Sequence, residues 1–364
     1  MILPFDAAAA GELLPPRPFL RKGWKWMDMQ PQNYQPLPPP GQKRLAGPKK
    51  PSWVREVKIQ SLMLAMALFL TLLFLWAVDF FGYFLVWPVI SSLSRMGMSE
   101  EILIELYGIG AYVLVFGLPY LLYAAAIRFR LTGIPHDPVY PPVTASATGI
   151  CLGVSVLGVL CAMILNAFLM TIGLYPPDLY TPLPQNPVAL LLNMISLTVL
   201  PALLEEFVSR GIVLGSLRRY GDRFAIVVSA FMFALLHRNT VQLPNAFLLG
   251  LALGYFFIKT NSIWTCVIIH FVNNLLAFLL SAAMEYMDPI LAALVDYTSL
   301  LIYLALGLCG LCCLIARRVD FSLPKRMGAP GALPAARYFF LNIPMVIVLV
   351  LYGVSILLSF YSGY

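Results

Sequence analysis

Beyond residue 58 the chain is a succession of apolar runs, each close to the roughly 20 residues that cross a bilayer, separated by short polar segments. Nine such runs are predicted as helical spans: 59–88, 102–127, 147–173, 188–217, 223–238, 243–258, 262–284, 290–316 and 338–360. The fifth and sixth are short, so tilted or partial helices are expected there. The predicted fold is all-α, a polytopic transmembrane helical bundle over residues 58–364. Residues 1–57 break the pattern. They hold eleven prolines, among them Pro38, Pro39 and Pro40, with scattered Lys and Arg, and predict an extended or disordered cytoplasmic tail.

The basic residues test the span count independently. If the tail is cytoplasmic, alternation of nine spans puts 21 of the 24 Lys and Arg on the same side, including Arg128, Arg130, Arg218, Arg219, Arg223, Lys259, Arg317, Arg318, Lys325, Arg326 and Arg337. Only Arg95 and Arg238 fall opposite, and Arg210 lies within a span. The N-terminus is therefore expected inside and the C-terminus outside. Residues 1–14 carry Asp6 and Glu12 with no basic stretch ahead of an apolar core, so a signal peptide is not expected and insertion should begin at a later segment.

Composition excludes an ordinary soluble domain, with 60% hydrophobic and 11% charged residues. The expected partner is the lipid bilayer, with no nucleic acid. Six cysteines, at 151, 161, 266, 309, 312 and 313, all sit in apolar runs and indicate no disulfide framework. The cluster Cys309, Cys312, Cys313 has no His or carboxylate beside it, and reads as helix packing rather than metal. The tail is a tether by composition; its proline run suits partner docking, and Lys49, Lys50, Arg55 and Lys58 suit anionic lipid.

Against this apolar background, "EEFVSR" at 205–210 stands out, because each charge costs a few kcal/mol at about the bilayer centre. Glu206 and Arg210, four apart, share a helix face and should pair. Glu205 points about 100° away and needs water, a proton or another helix. His237 ends "FALLH" and His270 begins "HFVNN", which puts Asn274 one turn further along the same face. At about 1.5 Å per residue, Glu205, His237 and His270 lie roughly 18, 21 and 12 Å from the cytoplasmic ends of their spans. A carboxylate, two imidazoles and an amide meeting at one level suit hydrolysis: a base for water, a proton donor for the leaving group and donors for an oxyanion. Each alone also fits a structural role, as a core histidine or as interhelical glue.

The three segments resemble the motifs E-E-x-x-x-R, F-x-x-x-H and H-x-x-x-N of the CAAX-prenyl-protease and bacteriocin-processing family, whose best-known branch is the type II CAAX prenyl endopeptidases. The connecting stretch, with Gly250 and Gly254 and a turn at Thr260, Asn261 and Ser262, is also similar, and the likeness covers 188–284. The resemblance implies a glutamate-type intramembrane endopeptidase: Glu205 and His237 activate water, His270 and Asn274 form the oxyanion site, and Glu206 with Arg210 braces the first helix. It further implies a cytoplasm-facing conical cavity, a peptide or lipidated-protein substrate and no cofactor. Ser209 departs from the aromatic residue common before the Arg.

Glu205, His237 and His270 also match, by ligand type, the His, His, Glu set of catalytic zinc, although the H-E-x-x-H spacing is absent. Two non-proteolytic functions compete with hydrolysis. One is a non-catalytic scaffold or immunity partner that keeps the polar cluster for helix packing. The other is a proton-coupled transporter, against which stand the scarcity of further intramembrane polar groups beyond Asp79 and the absence of a broken-helix pair.

Overall fold

The apolar runs become helices in the computed structural model, which describes residues 52–179, 181–324 and 329–360. Residues 1–51, with Lys49 and Lys50, lie outside that range, as do Lys325 and Arg326. Helix α1 (Ser52–Phe81) begins six residues before the expected domain boundary, so 52–57, assigned to the tail on composition, are helical. Through a wide π-helical turn at Gly82–Val86 it continues into α2 (Trp87–Arg95). The turn has a visible cause. Tyr107 donates to the Val78 carbonyl at 2.9 Å, the acceptor that an α-helix would reserve for the Gly82 N–H. A Cβ at residue 82 would lie 2.9 Å from the Tyr107 hydroxyl oxygen, so glycine leaves the room for this insertion.

Next come α3 (Glu100–Ala126) and α4 (Pro141–Thr171). The fourth expected span is one segment with a bend: α5 (Pro187–Leu197), α6 (Val199–Glu206), a π-helical stretch Phe207–Leu214 and the short α7 (Gly215–Leu217). At the α5–α6 junction Thr198 leaves helical geometry, its hydroxyl takes the Met194 carbonyl at 2.7 Å, and Pro201 has no N–H for the carbonyl four residues back. The remaining helices are α8 (Asp222–Leu236), α9 (Leu243–Thr260), α10 (Ile263–Glu285), α11 (Pro289–Ala316), α12 (Ala332–Phe340) and α13 (Ile343–Leu358).

Seven of these segments are long and apolar enough to cross a membrane unaided, and α12 with α13 would make an eighth. Against the nine expected spans, two differences stand out. The span expected at 338–360 is broken by 75° between α12 and α13. Pro344 is the reason, because its ring would clash with the Phe340 carbonyl and it supplies no N–H. The span expected at 223–238 is α8, only 15 residues or about 22 Å long. Nearly all of it is packed inside protein, including Phe224, Ala225, Val228, Ala230, Met232 and Phe233.

The outside of the bundle is apolar: Phe168, Ile164, Leu301, Ile302 and Val350 are exposed. That is the surface of an integral membrane protein. The interior is filled by Leu64, Leu68, Leu72, Ile212, Leu214, Leu217 and Phe257. The side chains near the basic loops gather at one end of the bundle. There Arg219 hydrogen-bonds Gln60, Gln60 bonds Tyr123 at 2.7 Å, and Lys259 donates to the Ser322 carbonyl at 3.0 Å. At the other end Glu101 and Glu285 hold the backbone of the loop before α5. All six cysteines are free. Cys309, Cys312 and Cys313, expected to be packed, are exposed on the outer face of α11.

Helices α4 and α11 approach through small residues. A Cβ at Gly310 would meet the Ser146 carbonyl oxygen at 2.3 Å, and one at Gly149 would meet the Leu306 carbonyl oxygen at 2.6 Å. Backbone contact of this kind drives association in lipid, where apolar side chains gain nothing by leaving the acyl chains for one another. Gly310→Val is therefore expected to destabilise the fold by about 1–3 kcal/mol through overpacking. Gly353→Val, with nothing within 4 Å of its added Cβ, is the control. Thermal unfolding in detergent reads the difference, and equal midpoints would refute the close-packing account.

Candidate active site

The site is built around α6 and the π-helical stretch that follows it. Glu206 and Arg210 are completely buried, and Arg210 Nη1 meets Glu206 Oε1 at 2.8 Å, as their spacing predicts. Arg210 Nη2 donates to the Gly250 carbonyl at 3.2 Å, and the guanidinium lies over the Phe233 ring at 4.7 Å from its centroid. A glycine is needed at residue 250, where a Cβ would sit 3.0 Å from Ala230 and press on Phe233. The buried Glu206 Oε2 and Arg210 Nε find no hydrogen-bond partner among the described residues, so the pair is single-pronged rather than a bidentate fork.

Local competition explains the wide turn. The Ser229 hydroxyl of α8 donates to the Ser209 carbonyl at 2.8 Å, drawing it from the helical ladder, and Gly211 and Gly215 let neighbours in close. Ser209, where the family motif often has an aromatic residue, is buried and holds this contact through its backbone.

From α10, His270 reaches both carboxylates. Its Nδ1 lies 2.8 Å from Glu206 Oε1 and its Nε2 lies 3.8 Å from Glu205 Oε2, and the residue is buried. Glu206 thus does more than brace Arg210, because it orients an imidazole as well. A charged carboxylate can only accept, so His270 Nδ1 carries a proton and Nε2 is aimed at Glu205. Glu205 itself accepts a hydrogen bond at Oε1 from the Tyr112 hydroxyl of α3.

His237 ends α8. Its Nδ1 lies 3.0 Å from the Phe233 carbonyl, so that nitrogen donates and Nε2 keeps its lone pair. Among the described residues no hydrogen bond or ion pair joins His237 to Glu205. The link is Phe233, whose ring stands edge-on to His237 at 5.1 Å and to His270 at 6.0 Å while its face covers Arg210. Asn274 is half-buried one turn beyond His270. Its Oδ1 accepts from Asn273 Nδ2 at 3.3 Å, which leaves the amide nitrogen as the donor, and Asn273 in turn accepts from Ser155 at 3.0 Å.

Glu205, Glu206, Arg210 and His270 are thus in direct sequence of contact, His237 joins through Phe233, and Asn274 flanks His270. Two polar residues of α3 escaped the sequence reading. Tyr112 touches Glu205, and Glu105 accepts from Asn193 of α5 at 3.0 Å. No three His, Cys, Asp or Glu side chains among the described residues gather as a metal-binding group. Of the three residues whose types suggest a zinc set, His270 lies 3.8 Å from Glu205 and His237 makes its hydrogen bond to the Phe233 carbonyl.

The family described as type II CAAX prenyl endopeptidase Rce1-like matches residues 187–276. That range contains Glu205, Glu206, Arg210, Phe233, His237, His270 and Asn274 and runs from α5 into α10. No curated protein and no solved structure matches the chain. From α5 into α10 the chain is thus similar to the Rce1-like type II CAAX prenyl endopeptidases, a family of proteases.

Proposed function

We propose that the protein is an intramembrane endopeptidase that hydrolyses a peptide bond in a membrane-associated substrate, either lipidated or a hydrophobic peptide. The observation that carries this reading is the unequal treatment of two adjacent carboxylates. Glu206 is charge-balanced by Arg210. Glu205 has no cation from its own helix and faces His270 Nε2 across 3.8 Å, too long for a direct hydrogen bond and suited to a bridging water.

In this mechanism Glu205 takes a proton from that water as its oxygen attacks the substrate carbonyl carbon, with the His237 Nε2 lone pair as a second acceptor. The Asn274 amide donates to the oxyanion that forms, and His270, doubly protonated in this step so that Nε2 carries an N–H beside the Nδ1–H held by Glu206, donates with it. When the C–N bond breaks, the proton held by Glu205 passes to the leaving amine. The gathering of basic residues at one end of the bundle supports a cytoplasmic N-terminus, and in this reading substrate reaches the site from the cytoplasmic side.

The test is cleavage by purified protein in detergent, on a library of prenylated and transmembrane peptides, with product bonds located by mass spectrometry. His237→Ala is expected to lower kcat by about 10²-fold or more through loss of an acid–base group. Cleavage by His237→Ala at the wild-type rate would remove His237 from the mechanism. A library left intact by wild-type protein would instead favour a scaffold.

A further inference from the structure

We propose that Tyr112 is a positioning residue for Glu205, so that α3, outside the family-matched segment, forms one wall of the working site. The inference rests on the endopeptidase reading above.

Three residues on one face of α3, separated by four and seven positions, engage in succession the loop before α5, α5 and α6. Glu101 accepts from the backbone N–H groups of Gln185 and Asn186, at 3.2 and 2.6 Å. Glu105 accepts from Asn193 at 3.0 Å and Ser196 at 3.5 Å. Tyr112 donates to Glu205 Oε1. The first two contacts fix the register of α3 against its neighbour, and the third is where that register delivers a hydroxyl. The Tyr112 ring packs on Phe116 with centroids 4.6 Å apart, which limits its swing.

The consequence falls on the other oxygen. A phenol–carboxylate bond is charge-assisted and directional. With Oε1 tied to α3, the Glu205 side chain cannot rotate freely, and Oε2 stays turned toward His270 Nε2 at 3.8 Å. Without the hydroxyl, Glu205 can turn both oxygens to His270 and close the gap in which the attacking water is proposed to sit. Tyr112 touches neither substrate nor water in this account. It acts through Glu205 alone.

Phenylalanine is the discriminating replacement, because it keeps the ring and its contact with Phe116 while removing the hydroxyl. With a peptide that the wild type cleaves, Tyr112→Phe is expected to lower kcat by about 10- to 100-fold, the loss of one hydrogen bond to a charged group. KM should change less than about threefold, since uniform substrate binding is untouched. The protein should still unfold cooperatively, with a midpoint lowered by no more than the loss of one hydrogen bond. A role confined to ring packing predicts no change in kcat.

A second measurement needs no turnover. The Glu205 carboxylate stretch is assigned in the infrared spectrum as the band missing from Glu205→Gln, and it should shift in Tyr112→Phe because its hydrogen bond is gone. An unmoved band overturns the proposal whatever the activity assay gives. A wild-type kcat in Tyr112→Phe beside an inactive Glu205→Gln overturns it too, and leaves the endopeptidase reading standing. Full activity in Glu205→Gln removes Glu205 from the mechanism and the positioning role of Tyr112 with it, while peptide cleavage itself stands.

Discussion

Glu205→Gln is expected to lower kcat on any peptide the protein cleaves by about 10²- to 10⁴-fold, the contribution of a positioned general base. The substitution is nearly isosteric. Its amide oxygen still accepts from Tyr112, so the polar contact between α3 and α6 survives. The arrangement of Glu206, Arg210 and His270, which does not depend on Glu205, should survive as well. What disappears is an acceptor able to take a full proton from water. The measurement is single-turnover cleavage, which separates chemistry from product release, together with thermal unfolding to show an intact fold. A variant as fast as the wild type would leave Glu205 with a packing role only.

Arg210→Met should have the largest effect on stability, a loss of about 3–5 kcal/mol, because removing one member of a buried pair strands the other charge. Glu206 is wholly enclosed and its Oε2 has no hydrogen-bond partner among the described residues, so it has little to fall back on. His270 remains, but one imidazole then has to balance the carboxylate alone. Unfolding in mixed micelles with rising denaturing detergent gives the shift. The double variant Glu206→Gln/Arg210→Met should be more stable than Arg210→Met, since the stranded charge is gone. Equal stability of the single and double variants would mean that Glu206 is not charged in the folded protein.

The chain's motifs were legible for a reason of cost. Charged and imidazole side chains in apolar runs are expensive, so their presence at residues 205, 206, 210, 237 and 270 announces partners before any partner is seen. The pairing of Glu206 with Arg210 followed from helical spacing alone. Tyr112 could not be found that way, because a tyrosine sits in an apolar helix at little cost and raises no alarm in a hydropathy pattern. The second role of Glu206, holding His270, depends on how α10 lies against α6, and nothing local encodes it.

The helices show the same division. Runs of apolar residues gave the long spans, while breaks set by single residues were easy to overrun: Pro344 sits in a stretch apolar enough to look continuous. The π-helical stretch at Phe207–Leu214 was invisible, since it arises where Ser229 of another helix claims the Ser209 carbonyl.

That stretch makes the protein sensitive to chain length as well as to chemistry. A widened turn holds one residue more than an α-turn, and each residue rotates an ordinary helix by about 100°. Deleting a single amino acid between Ile212 and Leu214 would leave the two acids and the guanidinium in place as letters, yet let the stretch close into an ordinary α-turn, whose ladder takes the Ser209 carbonyl back from Ser229 of α8. Two chains with the same motif and one codon's difference here would not have the same site.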